Sequence, residues 1–67
     1  MKTVALFDMA DQSFTFYTDK EWCTQIRDWR TELREDGQLE DGDIEAMDVD
    51  EIVEAIGGEE YFWDNIA

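Results

Sequence analysis

The chain has 67 residues, 19 acidic and five basic, and a formal net charge of −14 at pH 7. A chain this short builds one small domain with a thin core. With one cysteine and no histidine it also lacks the residues for an internal disulfide or a zinc site. We therefore expect a single domain over residues 1–67, with no metal and no cofactor.

The acidic residues are concentrated in the second half of the chain. Residues 1–34 hold all five basic residues and six acidic ones, whereas residues 35–67 hold thirteen acidic residues and no basic one. Crowding like charges raises the free energy of the folded state through self-repulsion. A role outside folding, in binding a partner, would explain why this cost is tolerated.

The first two predicted elements form a β-hairpin. Thr3–Met9 alternates its apolar side chains between two faces, and the polar break at residues 10–12 is short enough for a hairpin turn. Ser13–Thr18 is rich in the aromatic and β-branched residues that favour strands. We expect the two segments to pair antiparallel.

A long amphipathic helix is predicted to follow the hairpin. Thr18 and Glu21 match a capping box at its start, and it is expected to continue to about Asp36 and stop at Gly37. Residues spaced four, three and four apart form its apolar stripe, which predicts the buried face. This stripe consists of Trp22, Ile26, Trp29 and Leu33. Cys23, beside the stripe, is expected in the core.

The acidic half is predicted to hold a connector, a second helix and a terminal strand. Gln38–Met47 is an acidic connector, after which Asp48 caps the second helix with Glu51 in the reciprocal capping position. Gly57 and Gly58 end this helix. Its buried face is predicted to be Val49, Ile52, Val53 and Ile56, with Asp50, Glu51 and Glu54 on the opposite side.

The aromatic segment Glu59–Ile66 is expected to form a third strand, with a short helical turn as the alternative. Together the elements predict an α+β fold. A small antiparallel sheet, made of the N-terminal hairpin and this C-terminal strand, packs against two helices in the order β-β-α-α-β.

Catalysis and metal binding have little support in the sequence. The commonest general base, histidine, is absent, and Cys23 therefore has no imidazole partner to activate it as a nucleophile. Asp41, Asp43 and Glu45 alternate like the start of a calcium-binding EF-hand loop. The positions that need glycine and glutamate hold alanine and isoleucine instead. We expect no catalytic residue and no metal site.

Two further features allow a structural and a functional interpretation. The long helix carries arginines along one flank, which could contact phosphates but are better interpreted as internal counterions to the many acidic residues. These are Arg27, Arg30 and Arg34. The rings of Tyr61, Phe62 and Trp63 could insert into a partner's groove, although a chain this short needs them to complete its core, which is the interpretation we favour.

A concentrated acidic surface complements a strongly basic one, as found on proteins that bind nucleic acid. In size, charge asymmetry and hairpin-plus-helix organisation, the whole chain resembles small acidic inhibitors encoded by phages and mobile elements. That class includes anti-CRISPR proteins, anti-restriction DNA mimics and uracil-DNA glycosylase inhibitors. The resemblance implies a stoichiometric, non-enzymatic inhibitor that occupies the basic nucleic-acid-binding surface of a host defence or DNA-processing complex.

The single cysteine suits a reducing compartment, and no signal peptide is visible. We therefore expect a cytoplasmic protein, in the host cell if phage-encoded, that is a monomer or weak homodimer and contacts neither nucleic acid nor membrane directly. The resemblance assigns partner binding to the acidic side chains of the C-terminal half. These are Glu40, Asp41, Asp43, Glu45, Asp48, Asp50, Glu51, Glu54, Glu59, Glu60 and Asp64.

Two alternatives share the binding role. One is an antitoxin-like acidic inhibitor of a basic toxin or nuclease. The other is a regulatory adaptor that docks through Tyr61, Phe62 and Trp63. Salt separates the electrostatic alternatives from the adaptor, because screening weakens charge–charge binding and leaves apolar docking largely unchanged.

Overall fold

The N-terminal hairpin forms as the alternation of apolar residues predicts. In the computed structural model, which describes residues 2–66, strands β1 (Thr3–Asp8) and β2 (Ser13–Thr18) pair antiparallel. In the turn between them, the Asp8 carboxylate accepts a hydrogen bond from the Ala10 N–H at 2.9 Å. Such local side-chain bonds favour a tight turn over further strand.

Helix α1 (Asp19–Asp36) has the bounds and the capping box that the sequence predicts. The Thr18 hydroxyl accepts a hydrogen bond from the Glu21 N–H at 3.2 Å, and the Thr18 N–H donates to the Glu21 carboxylate at 2.9 Å. Because hydrogen bonds from the Thr18 backbone N–H and, to a lesser degree, from the Thr18 side chain favour the ionised form, the pKa of the Glu21 carboxyl lies below its ordinary value. Gly37 ends the helix in the left-handed conformation, with φ of 75°.

The apolar stripe of α1 is buried as predicted, but the expectation for Cys23 is wrong. The four stripe residues, Trp22, Ile26, Trp29 and Leu33, all lie in the interior. Cys23 is exposed. One residue along a helix is a rotation of about 100°, which carries the thiol off the buried stripe and into solvent.

A short third helix replaces part of the predicted connector. Helix α2 (Asp41–Ala46) buries Ile44 completely, with 0% of its surface exposed. The guanidinium of Arg30 on α1 donates hydrogen bonds to the carbonyl oxygen of Ile44 and, at 2.8 Å, to that of Met47. A six-residue helix is unstable in isolation, so α2 depends on these contacts with α1.

Helix α3 (Val49–Gly57) is the second helix predicted from the sequence. The Asp48 carboxylate accepts a hydrogen bond from the Glu51 N–H at 2.9 Å. The reciprocal bond expected of the Glu51 carboxylate is not formed within residues 2–66, so the cap is one-sided. Ile52 and Val53 are buried, whereas Val49 and Ile56, at the ends of the predicted face, are only partly buried against the core.

The C-terminal strand completes a three-stranded sheet. After a 3-10 turn at Gly58–Glu60, strand β3 (Tyr61–Asn65) pairs antiparallel with β1, which gives the strand order β2-β1-β3. The predicted α+β fold and its terminal strand are therefore confirmed, with α2 as an added helix. Helices α1 and α3 cover one face of the sheet, where Val4 and Leu6 join the core, and α2 packs against α1.

Candidate interaction surface

A groove of about 670 Å³ opens between α3 and β3. We call it the acidic groove, since carboxylates from α3 and the 3-10 turn stand around apolar and aromatic side chains. Its principal lining residues are Asp50, Val53, Glu54, Glu59, Tyr61 and Trp63. The groove exists because α3 ends in a turn that leads directly into β3, so the two elements lie side by side.

Asp50 ties the two walls of the acidic groove together. Its carboxylate accepts a hydrogen bond from the indole Nε1 of Trp63 at 2.7 Å. The ring of Trp63 also packs against that of Trp22, with centroids 5.4 Å apart. A hydrogen bond to a charged acceptor stabilises more than a neutral one, so Asp50 has a structural role alongside its negative charge.

Tyr61 lines the groove where its ring packs against Gly57, the last residue of α3. A Cβ at Gly57 would overlap the Tyr61 ring, so glycine is required there for a close approach. Burial raises the pKa of the Tyr61 phenol, and the negative charges of Asp8 and Asp11 raise it further. The phenol therefore stays neutral at physiological pH.

The carboxylates of α2 are partly neutralised within the molecule. Arg34 on α1 forms ion pairs with Asp41, at 3.9 Å, and with Glu45. Arg30 is engaged with the backbone carbonyls at the end of α2. Arg34 is therefore an internal counterion, as expected, whereas Arg30 is held within the molecule by backbone carbonyls and pairs with no carboxylate among the described residues. The predicted residues Glu40 and Asp43 are exposed beside the same helix.

The carboxylates after Asp50 have no such compensation. Both ion pairs found among residues 2–66 belong to Arg34. The Asp48 carboxylate caps α3, and the Asp50 carboxylate accepts a hydrogen bond from the Trp63 indole. The remaining acidic residues of α3 and the 3-10 turn are exposed, and we call them the acidic face. They are Glu51, Glu54, Glu59 and Glu60.

Asp64 is separated from the other predicted residues. It lies on β3 opposite Ala5 of β1. Side chains alternate along a strand, so Asp64 points to the sheet face away from the helices, whereas its neighbour Trp63 faces the core. The eleven predicted residues therefore form three sets: a group at α2 in which Arg34 pairs with Asp41 and Glu45, a group on α3 and the 3-10 turn without ion pairs among the described residues, and this one outlier.

The sequence did not reveal that the sheet face opposite the helices is aromatic. We call it the open sheet face. Phe14, Phe16 and Phe62 are 62%, 61% and 54% exposed. The ring of Phe14 packs against Phe7 at 4.7 Å and Phe16 at 6.1 Å. The expectation that the C-terminal rings complete the core therefore holds for Tyr61 and Trp63, which pack on it, and is wrong for Phe62.

In the part of the chain that the structure describes, no three or more carboxylate or thiol side chains are placed to hold a metal ion. None of the helices in residues 2–66 combines the length and the apolar character needed to cross a membrane. Comparison with known protein families, with curated proteins and with solved structures finds no match to this chain.

We expect added salt to stabilise the isolated domain. The Debye length falls from about 30 Å at 0.01 M to about 8 Å at 0.15 M ionic strength, and the repulsion among the exposed carboxylates falls with it. The melting temperature, followed by circular dichroism, should rise as sodium chloride increases over this range. A variant with all four acidic-face glutamates changed to glutamine should show a shallower rise. A melting temperature that is flat or falls for the unmodified chain would contradict a concentrated repulsion.

Proposed function

We propose that the chain is a stoichiometric inhibitor that occupies the basic nucleic-acid-binding surface of a host defence or DNA-processing complex. One observation carries the proposal: the acidic face is exposed and is not neutralised by any ion pair among the described residues. Holding four carboxylates together in this way does not stabilise the fold, because repulsion among neighbouring like charges raises the free energy of the folded state.

The geometry of α3 supports this role. Glu51 and Glu54 are three residues apart, which places their Cβ atoms about 5–6 Å apart on one helix face. Glu59 and Glu60 follow on the turn that caps the same helix. Lysine and arginine side chains that neutralise phosphates also pair with carboxylates, and arginine does so through the same two-pronged geometry. The carboxylates of α3 and the turn after it therefore compete for the side chains that hold nucleic acid.

The acidic groove supplies an apolar component beside these charges. Val53 forms part of its floor next to the rings of Tyr61 and Trp63, and Glu54 and Glu59 stand at its edge. An arginine or lysine side chain combines an aliphatic stem with a charged end, and arginine stacks readily on aromatic rings. The groove thus suits a basic side chain from the partner, with its stem on the rings and its charge between the carboxylates.

Complementary charge governs the rate of this association more than its final affinity. Opposite potentials steer the encounter, and the rate falls as ionic strength rises. Inhibition follows by exclusion, since the partner's basic side chains cannot pair with phosphates while they pair with the acidic face. No bond is made or broken, which is why a chain without histidine and with an exposed, unpartnered Cys23 thiol can perform it.

An antitoxin-like role would use the same surface on a different partner, a basic toxin or nuclease. The adaptor alternative is weakened, because Tyr61 and Trp63 pack on the core and leave Phe62 as the exposed ring of that segment. Identifying the partner protein would distinguish the inhibitor of a nucleic-acid-binding complex from the antitoxin-like inhibitor.

The proposal is tested by capture from a bacterial lysate on the immobilised chain, with identification by mass spectrometry. We expect a nucleic-acid-binding protein that is released by duplex DNA, or by RNA if RNA is its ligand, and by high salt. A column carrying glutamine at the four acidic-face positions is the control and should capture much less. Capture that is indifferent to salt and to nucleic acid would contradict the proposal, and release of a basic toxin would support the antitoxin role instead.

A further inference from the structure

The open sheet face is apolar where a solvent-facing sheet is normally polar. An antiparallel sheet with one face in water shows polar side chains on that face. Here Phe7 of β1 lies between Phe14 of β2 and Phe62 of β3 in the strand register, and Phe16 pairs with Ala5 in the next row. The row of three phenylalanines therefore crosses the whole sheet.

The exposed apolar area is large for a chain of this size. A buried aromatic side chain covers about 150–250 Å², and three phenylalanines of this face are each more than half exposed. Ile66, whose N–H bonds to the Thr3 carbonyl and extends the ladder of β3, is 55% exposed. Together they present roughly 400–500 Å², within the range of about 300–600 Å² in which the largest patch of a monomer is often functional.

We propose that the open sheet face is covered by a second copy of this chain, in a two-fold symmetric dimer whose sheets pack face to face. The exposed apolar area alone is roughly half to two-thirds of the ~800 Å² per partner of a standard interface, and the polar residues at the rim of the sheet would add to it. Two sheets packed in this way lie about 10 Å apart and interdigitate their side chains. A two-fold axis makes the patch its own partner, since the same rings meet from both sides.

The charge distribution permits this association despite the net charge of −14. Among the strand residues on the open sheet face, Asp64 alone is charged. Glu51 and Glu54 lie on α3, in the layer that covers the other side of the sheet, whereas Glu60 lies at the end of the β3 ladder, where its carbonyl accepts a hydrogen bond from the Met9 N–H at 2.8 Å. In a face-to-face dimer the α3 carboxylates of the two copies are thus separated by both sheets, on the order of 30 Å when about 10 Å is allowed per layer. This distance exceeds the ~8 Å screening length at physiological salt.

The dimer also supplies stability that the single chain lacks. Small domains commonly need disulfides, a structural metal or oligomerisation to hold a thin core. The one cysteine is exposed and unpaired, and the described residues offer no metal site. Covering the phenylalanine row leaves Glu51 and Glu54 of α3 exposed on the outside of the dimer, so the inference does not depend on the proposed function.

Analytical ultracentrifugation of the purified chain tests the proposal, over concentrations from micromolar to millimolar at physiological salt. We expect the mass of a dimer. Phe14→Lys should reduce that mass twofold, although it makes the net charge less negative and so weakens the general repulsion between copies. Leu39→Lys is the matched control, because Leu39 is also an exposed apolar residue, at 40%, and lies outside the sheet. It should leave the dimer intact.

A chain that remains monomeric throughout the concentration range would overturn the proposal. A dimer that survives Phe14→Lys would also overturn it, since the contact would then lie elsewhere, as at the free edge of β2 or β3. Circular dichroism checks that each variant is folded. If Phe14→Lys does not fold, Phe62→Lys on the opposite edge strand tests the same face and is expected to give the same twofold loss of mass.

Discussion

Trp29→Ala is expected to remove most of the stability of the domain. Trp29 is 8% exposed, and its ring meets that of Trp22 edge-on at 5.7 Å within the main core cluster. Truncating a buried tryptophan costs about 3–5 kcal/mol, whereas a domain of this length has a total free energy of unfolding of about 3–10 kcal/mol. Urea unfolding followed by circular dichroism should therefore show a large fall in the midpoint, or no folded state at all.

Leu39→Ala is the control for this experiment. Leu39 lies in the segment between α1 and α2 and is 40% exposed, so its truncation should change the free energy of unfolding by no more than about 0.5 kcal/mol. If Trp29→Ala does not fold, Trp29→Phe is measured instead. Because it retains an aromatic ring, its urea midpoint should be measurable and lie below that of the unmodified chain. An unchanged midpoint for Trp29→Ala would show that this side of α1 does not form the core.

The elements set by neighbouring residues could be predicted from the sequence. The Thr18 capping box and the left-handed Gly37 fix the ends of α1 locally. The spacing of its apolar residues then determines which side is buried. The hairpin could be predicted equally well, because its turn is short and the side chains of both strands alternate between two faces. Each of these predictions depends on a pattern within a single element or a single turn.

The elements that depend on distant residues could not be predicted in this way. Helix α2 is held by Arg30, which lies fourteen and seventeen residues before the carbonyls it binds. Nothing in the local sequence of the connector indicates that partner. The reciprocal cap expected of Glu51 failed for a related reason, since the pattern of residue types permits the bond without requiring it.

The same distinction applies to the candidate site. The exposure of the acidic half followed from its charge. The neutralisation of Asp41 and Glu45 by Arg34 required the packing of α2 on α1. The outward position of Phe62 required the register that sets Trp63 opposite Leu6, with Phe62 opposite Phe7. The alternation of a strand reveals two faces, but only tertiary packing decides which one the helices cover.

Reversing the charge of the acidic face is expected to abolish partner binding. The variant changes Glu51, Glu54 and Glu59 to lysine and leaves Asp50 unchanged, because Asp50 holds the indole of Trp63. Close charge pairs across an interface can couple by about 1.5–7 kcal/mol each, and reversal replaces attraction with repulsion. We expect the affinity to fall at least about a hundredfold, or on the order of 3 kcal/mol.

A control variant separates the acidic face from net charge. Changing Asp28, Glu32 and Glu35 on α1 to lysine alters the net charge by the same amount, and all three side chains are exposed. If the net charge of the chain alone drives binding, the two variants should lose affinity for the partner equally. If the acidic face binds, the α1 variant should keep most of its affinity.

The most direct test is a competition titration with the captured partner bound to a fluorescently labelled nucleic acid. The unmodified chain is expected to displace the nucleic acid at close to one equivalent, and the α1 control to do so nearly as well. The acidic-face variant, shown to be folded by circular dichroism, is expected to leave the nucleic acid bound. Displacement by the acidic-face variant at the unmodified chain's concentration, or binding of the unmodified chain without displacement, would contradict the proposed occupation of a nucleic-acid site.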